Sequence, residues 1–324
     1  MNNNTGSGAS LSERLITQPL ILVGAPRSGT TMLFQALSAH PDLWSLYRES
    51  QPILDAHFPV SMTPGRSAFV PGDSFDGATA AAVERAFFDT VGNLEGAQGA
   101  LARFLPLILR TRLSDTLRKF GRDRKRPPIR MVEKTPDNCF RIQMLLRVFP
   151  DARLVFVVRD PRGSIASVLH GWRDESRFRR YPMPDGYRLA DYTGTEWCFG
   201  LIPGWEELNG ARVVEVCARQ WSSYNEYCLR DLPTDDPSRV LQVRYEELSA
   251  RPGPVLERLA EWAELDPTPL RRFNEKLPVV NTWSRPSEDK WRWAADELAS
   301  VTGLVLPMAR QLGYDLEPSA AGNA

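Results

Sequence analysis

Four times along this chain a run of four or five residues, most of them apolar, leads into a turn and then into a helical pattern. Residues 20–23 (LILV) precede the turn 24–29 and the helical stretch 30–40. Residues 129–132 precede 133–136 and 137–149, and residues 154–158 precede 159–162 and 163–172. The fourth set is 240–243, 244–250 and 252–265. Short apolar runs without polar alternation suit strands buried on both faces, and a helix after each suits parallel crossovers. The pattern predicts an α/β fold, a doubly wound parallel sheet flanked by helices in a single domain. It also places all four turns at the carboxyl ends of strands, where such sheets bind ligands.

The rest of the composition narrows the function. Of 324 residues, 42% are hydrophobic and 25% charged, which supplies a large core and excludes disordered, collagen-like and coiled-coil chains. Basic and acidic residues number 40 each, so no overall field draws the protein to nucleic acid or to an anionic membrane, and any anion site is local. Cys139, Cys198, Cys217 and Cys228 form no CxxC pair and have no histidine close by, so free thiols are expected rather than zinc or disulfides. The apolar run 19–23 is too short for a membrane span or a secretion signal, and the expected location is the cytoplasm. The expected organisation is a flexible tail over 1–18, one domain over 19–316 and a second tail over 317–324.

Three stretches break the alternation. Residues 55–79 are rich in Pro and Gly and read as a loop, and residues 80–120 read as helical. Residues 173–205 hold seven aromatics, Phe178, Tyr181, Tyr187, Tyr192, Trp197, Phe199 and Trp205, among Pro and Gly. Long segments of that kind are usually lids or binding loops, so 55–120 and 173–205 are expected on the acceptor side of the site. The stripe Val214, Cys217, Trp221, Tyr224 and Cys228 predicts a helix with a core-facing side. A basic run from Arg118 to Arg130 reads as a solvated connector.

The first turn, Gly24-Ala-Pro-Arg-Ser-Gly-Thr-Thr31, matches a phosphate loop at almost every position and has the strand before it and helix after it that such a loop needs. Backbone N–H groups and the helix dipole there attract an anion. Thr30 stands where a nucleotide triphosphatase has lysine, and a cation appears earlier, at Arg27. That arrangement suits one terminal 5′-phosphate group. An arginine beside a helix N-terminus is repelled by the dipole unless an anion offsets it. The second turn carries Arg159 at a strand end and Ser167 eight residues on, a pair able to hold a second anion.

Taken together, these two turns resemble the two cofactor signatures of the sulfotransferases that use 3′-phosphoadenosine 5′-phosphosulfate (PAPS), most closely the bacterial and tyrosylprotein-type members. The segments Glu133–Asn138 and Phe149–Ala152, Val243–Leu248 and Asp289–Arg292 resemble later parts of the same pattern, in the same order. The resemblance implies that Arg27, Ser28, Gly29, Thr30 and Thr31 hold the 5′-phosphosulfate, Arg159 and Ser167 the 3′-phosphate, and Tyr245 the adenine. It implies Ser284 and Lys290 in a loop closing on the phosphates. It further implies sulfuryl transfer to a hydroxyl of a small-molecule, glycan or peptide acceptor, leaving 3′,5′-adenosine bisphosphate (PAP), with no metal. Arg27 and Lys134 would stabilise the transferring group, and Glu49 would be the base; an ordinary ion pair is the alternative for Glu49 and for Lys134. Of the histidines, His40 reads as a helix cap, while His57 and His170 match no catalytic position. Two rivals remain, a P-loop kinase or NTPase using Asp160 for Mg²⁺, and a non-catalytic nucleotide-binding protein of the same fold.

Overall fold

The structure, a computed structural model, describes residues 14–46, 49–92, 125–174, 178–278 and 288–316. In chain order its elements are β1 (Leu20–Val23), α1 (Thr30–Leu37), β2 (Trp44–Ser45), α2 (Gln51–Asp55) and α3 (Gly77–Thr90). Then come β3 (Met131–Lys134), α4 (Ile142–Val148), β4 (Arg153–Val158), α5 (Pro161–Arg173), β5 (Arg180–Pro182) and β6 (Glu196–Cys198). The remainder is α6 (Val213–Asp231), β7 (Val240–Arg244), α7 (Tyr245–Ala250), α8 (Pro252–Trp262) and α9 (Ala295–Gln311).

Five strands form one sheet in the order β2-β3-β1-β4-β7, and every pairing is parallel. β1 lies at the centre. From β1 the chain goes out to the edge at β2, returns to β3 and then crosses to β4 and β7, so the winding reverses at β1 and opens a crevice at its carboxyl end. All four residues of β1 and all six of β4 are buried. Their side chains alternate between the two faces. Leu20, Leu22, Val155 and Val157 join the cluster under α1 and α8, while Ile21, Val23, Phe156 and Val158 join the larger cluster with α5, α6 and α9. This explains the unbroken apolar runs at β1 and β4, which have helices on both sides, while β7 at the sheet edge is only partly buried.

The third strand starts two residues later than the apolar run predicted and takes in Glu133 and Lys134. The ladder extends there because Ile21 and Leu22 of β1 lie opposite these two residues. Residues 245–250, expected as a turn, form α7. Residues 14–18, expected within a flexible tail, are packed: Ile16 is buried and bridges to Ile129, and the Leu15 and Ile16 amides both donate to Glu84. The aromatic stretch 178–205 is largely core rather than open loop. β5 and β6 pair antiparallel, and Trp197 and Trp205 are buried. Among the described residues no helix is long and apolar enough to cross a membrane.

Candidate active site

The loop between β1 and α1 is shaped for close approach. Arg27 has φ 70° and Gly29, the N-cap of α1, has φ 96°. A Cβ on Gly29 would meet the Tyr245 ring at 2.5 Å, so glycine is required both by backbone conformation and by that ring. α1 has no side-chain cap and no acidic residue in its first turn. Its first amides and its positive dipole end therefore point into the crevice. The Ser28 hydroxyl is buried there without a hydrogen-bond partner. From below, Cys139 Sγ accepts the Gly24 N–H at 3.1 Å.

Three hydrogen bonds stitch this loop to β4 and α5. Arg159 Nη1 donates to the Arg27 carbonyl at 2.6 Å, Arg27 Nε to Ser167 Oγ at 2.8 Å, and Ser164 Oγ to the Pro26 carbonyl at 3.0 Å. Arg159 also lies over the Tyr245 ring, 4.0 Å from its centroid. Arg27, Gly29, Arg159, Ser167 and Tyr245, predicted from separate stretches of sequence, thus meet in one place. Arg159 does not pair with its neighbour Asp160, which is held instead by Arg162 through three hydrogen bonds from the side chain and one from the backbone.

Lys290 joins this group from the 3₁₀ segment Glu288–Ala294. Desolvation, then the charges of Arg159 and Arg27, hold its ammonium below its ordinary value. Desolvation and Arg159 likewise push Arg27 down to about 10, which leaves it charged at neutral pH. Arg27, Arg159 and Lys290 are thus close enough to oppose one another's charge, beside the N-terminus of α1. Ser284 lies outside the described residues. Thr30 is buried and Thr31 half-buried at the start of α1, with Ser28 just ahead of them.

Lys134 ends β3, the strand next to β1, and faces the same crevice. It is only 7% exposed and is paired with Glu49. Gln51 Nε2 donates to the other Glu49 oxygen at 2.9 Å. Burial acts to raise the Glu49 carboxyl, but Lys134, these hydrogen bonds and Arg179 outweigh it and hold the group below the ordinary carboxylate value. Lys134 makes neither the pair with Glu133 nor that with Asp137 that a surface reading gave it; it pairs with Glu49, whose expected partner Arg48 lies outside the described residues.

Several residues near the site were missed in the sequence. Glu133 is buried and accepts hydrogen bonds from Thr135 Oγ1 at 2.6 Å and from Asn138. Thr135 Oγ1 in turn accepts the Ser50 amide at 2.7 Å, so β3 fixes the segment that carries Glu49. Glu246 accepts the Asp160 amide and the Tyr314 hydroxyl, tying α7 to the start of α5 and to the end of the chain after α9. His170, one turn beyond Ser167, is held below its ordinary value by desolvation and by the charges of Arg27 and Arg173, against Asp174. His57 is exposed. His40 is buried with Nε2 2.9 Å from the Asp266 carbonyl, a structural tie at the end of α1.

The fold is that of a phosphate-loop-like α/β protein with a crevice at the carboxyl end of its central strand. The sequence pattern of the sulfotransferase family matches residues 19–197, just over half of the chain, and the chain belongs to that family, whose members are PAPS-dependent. Two curated relatives, omega-hydroxy-beta-dihydromenaquinone-9 sulfotransferase Stf3 from Mycobacterium tuberculosis and from Mycobacterium bovis, are each 29% identical over 129 residues. That match takes in 40% of this chain and only 27% of either relative's length. Among solved structures, sulfotransferase STF9 from Mycobacterium avium aligns with TM-score 0.50 at 17% identity, covering 95% of this chain and 79% of that one, a likeness of fold.

Proposed function

We propose that the protein transfers the sulfuryl group of PAPS to a hydroxyl of its acceptor and releases PAP. The observation that carries this reading is the convergence of Arg27, Arg159 and Lys290 on the phosphate loop. A donor with phosphates at both 3′ and 5′ positions needs two anion sites on one nucleoside. The loop amides, Ser28, Thr30 and Thr31 suit the 5′ end; Arg159 and Ser167 suit the 3′-phosphate; Tyr245, lying between Gly29 and Arg159, suits the adenine. Asp160 is engaged by Arg162 and Thr30 stands in the lysine position, both of which speak against a kinase.

PAPS supplies a sulfuryl group on a phosphate leaving group, and the acceptor oxygen replaces that phosphate on sulfur. The protein's task is alignment and charge stabilisation. Arg27 carries a fixed charge beside the loop and offsets the charge that builds on the transferred oxygens. Glu49 takes the acceptor's proton. Its partner Lys134 can turn toward the developing negative charge, and Glu49 then loses a contact that holds its basicity down.

The test is thermal unfolding with PAP, 5′-AMP, and ATP plus Mg²⁺. Saturable binding raises the melting temperature by mass action. PAP is expected to give the clear shift. A shift with ATP and Mg²⁺ in its place would turn the search to kinases.

A further inference from the structure

Near the Glu49–Lys134 pair lies a second polar cluster that the reaction described above does not use. Asp137 and Arg141 come from the segment after β3, Asp55 from the end of α2, Arg179 and Tyr181 from the β5 strand and its approach, and Tyr224 from α6. Arg141 Nη2 donates to one oxygen of Asp55 at 3.3 Å and Arg179 Nη2 to the other. Tyr224 donates to Asp137 Oδ1 at 2.6 Å. Gly200 leaves the room for that pair, since a Cβ there would lie 1.8 Å from the Tyr224 hydroxyl.

Four buried atoms of this cluster have no hydrogen-bond partner: Arg141 Nη1, Arg179 Nη1, Tyr181 Oη and Asp137 Oδ2. Arg141, Asp137 and Tyr181 are 0%, 2% and 4% exposed. An unmet buried group is costly, and more so when charged, so four in one cluster mark a place built for something else. They are close together. Asp137, Arg179, Asp55 and Arg141 all act electrostatically on Tyr181, and the Arg179 guanidinium lies 4.7 Å from the Tyr181 ring. They are also close to the chemistry, because Arg179 acts on Glu49 and Glu49 on Asp137.

The chemistry of the unmet groups selects the ligand. Two guanidinium edges and a phenol donate, and two arginines share the single carboxylate of Asp55. That is the donor set for a carboxylate. Burial lifts the Asp137 carboxyl above its ordinary value, against the pull of Arg141, Tyr224 and Arg179. We propose that this cluster receives a carboxylate of the acceptor, so that the substrate is a hydroxy acid whose hydroxyl lies at Glu49 while its acid end is held by Arg141, Arg179 and Tyr181. The proposal rests on the sulfotransferase reading above.

The experiment measures PAP release from PAPS by the full chain with straight-chain and aryl hydroxycarboxylates, each paired with its methyl ester. Charge-assisted contacts of this kind predict that a used acid exceeds its ester in kcat/KM by about tenfold or more. Tyr181→Phe and Arg179→Gln should shrink that ratio while the PAP-induced thermal shift stays as in the parent. Equal use of acids and esters, or variants that lower both alike, would overturn the proposal and leave a structural cluster bridged by water. No turnover of any acid while PAP still stabilises the protein would overturn the substrate class and leave the nucleotide reading standing. If PAP gives no shift in the parent, the nucleotide reading falls, and this proposal with it.

Discussion

Arg27 holds a left-handed backbone conformation that costs a non-glycine residue about 1–3 kcal/mol. The hydrogen bonds to its carbonyl and side chain, from Arg159 and to Ser167, maintain it. Arg159 is thus a clamp on the loop and, in the proposed function, also a ligand for the 3′-phosphate, and its variant separates the two roles. Arg159→Ala should weaken PAP binding more than 5′-AMP binding, by about 1.5–3 kcal/mol, in calorimetric titrations of both. Equal weakening would reduce Arg159 to the clamp. For the base, Glu49→Gln should lower kcat by about 10²–10⁴ with PAP affinity unchanged, while His170→Asn stays within a few-fold of the parent. The reverse outcome would make His170 the base. Since Glu49 is held below the ordinary carboxylate value, it stays ionised through neutral pH, and the acid limb of kcat/KM should lie below about pH 4.3.

Among the elements, β3 is the one on which the site depends most. Its last two residues put Lys134 in the crevice and Glu133 in the interior. Burial pushes the Glu133 carboxyl up to about 7. The folded protein therefore holds a proton there that the unfolded chain releases near pH 4.5. That contribution to stability is fully present below pH 4.5 and is lost as pH rises through about 7. The difference is worth roughly 3 kcal/mol. Glu133→Gln should remove this slope and raise the melting temperature at pH 8, as its amide can donate to the unpartnered Asn138 Oδ1 once that side chain turns over. A variant as pH-sensitive as the parent between pH 4.5 and 8 would mean that another group carries the slope. The sequence marked Lys134 because it follows an apolar run, but the same run gave no sign that Glu133 is buried. Both residues are buried, and their burial follows from register against β1, which local sequence does not encode.

At the scale of the molecule, one sheet covered on both faces leaves little of the core open. Cys139, Cys198, Cys217 and Cys228 are all free and buried, and burial pushes the Cys198 thiol up to about 12. Cys139 supports Gly24, so a thiol probe also reports on the phosphate loop. The native protein should react with a thiol-specific disulfide reagent at less than one site, and with four in guanidinium. PAP at 100 times its Kd should slow labelling in mild urea by about 100-fold, through stabilisation of the folded state. Labelling that ignores PAP would show that the thiols open without the nucleotide site opening. The chain as a whole carries no net charge, so the cation cluster acts at short range and PAP affinity should fall with salt only as far as those few contacts require.

Local pattern was enough for the layered α/β fold, because strands buried on both faces must read as unbroken apolar runs and each crossover must read as a helix. It was enough for the strand, turn and helix over residues 20–37 as well, since glycine at a left-handed cap and a strand before a helix are properties of a few adjacent residues. Glu49 and Lys134 were each visible, but not as partners, for 85 residues separate them and only the alignment of β3 with the end of β2 closes that distance. The aromatic stretch read as a wall of the site and is mostly core, since an apolar side chain has the same signature in either place. The cluster of Asp55, Asp137, Arg141, Arg179 and Tyr181 draws on several separate stretches of chain. Its unmet hydrogen bonds exist only once packing has removed water from all of them together.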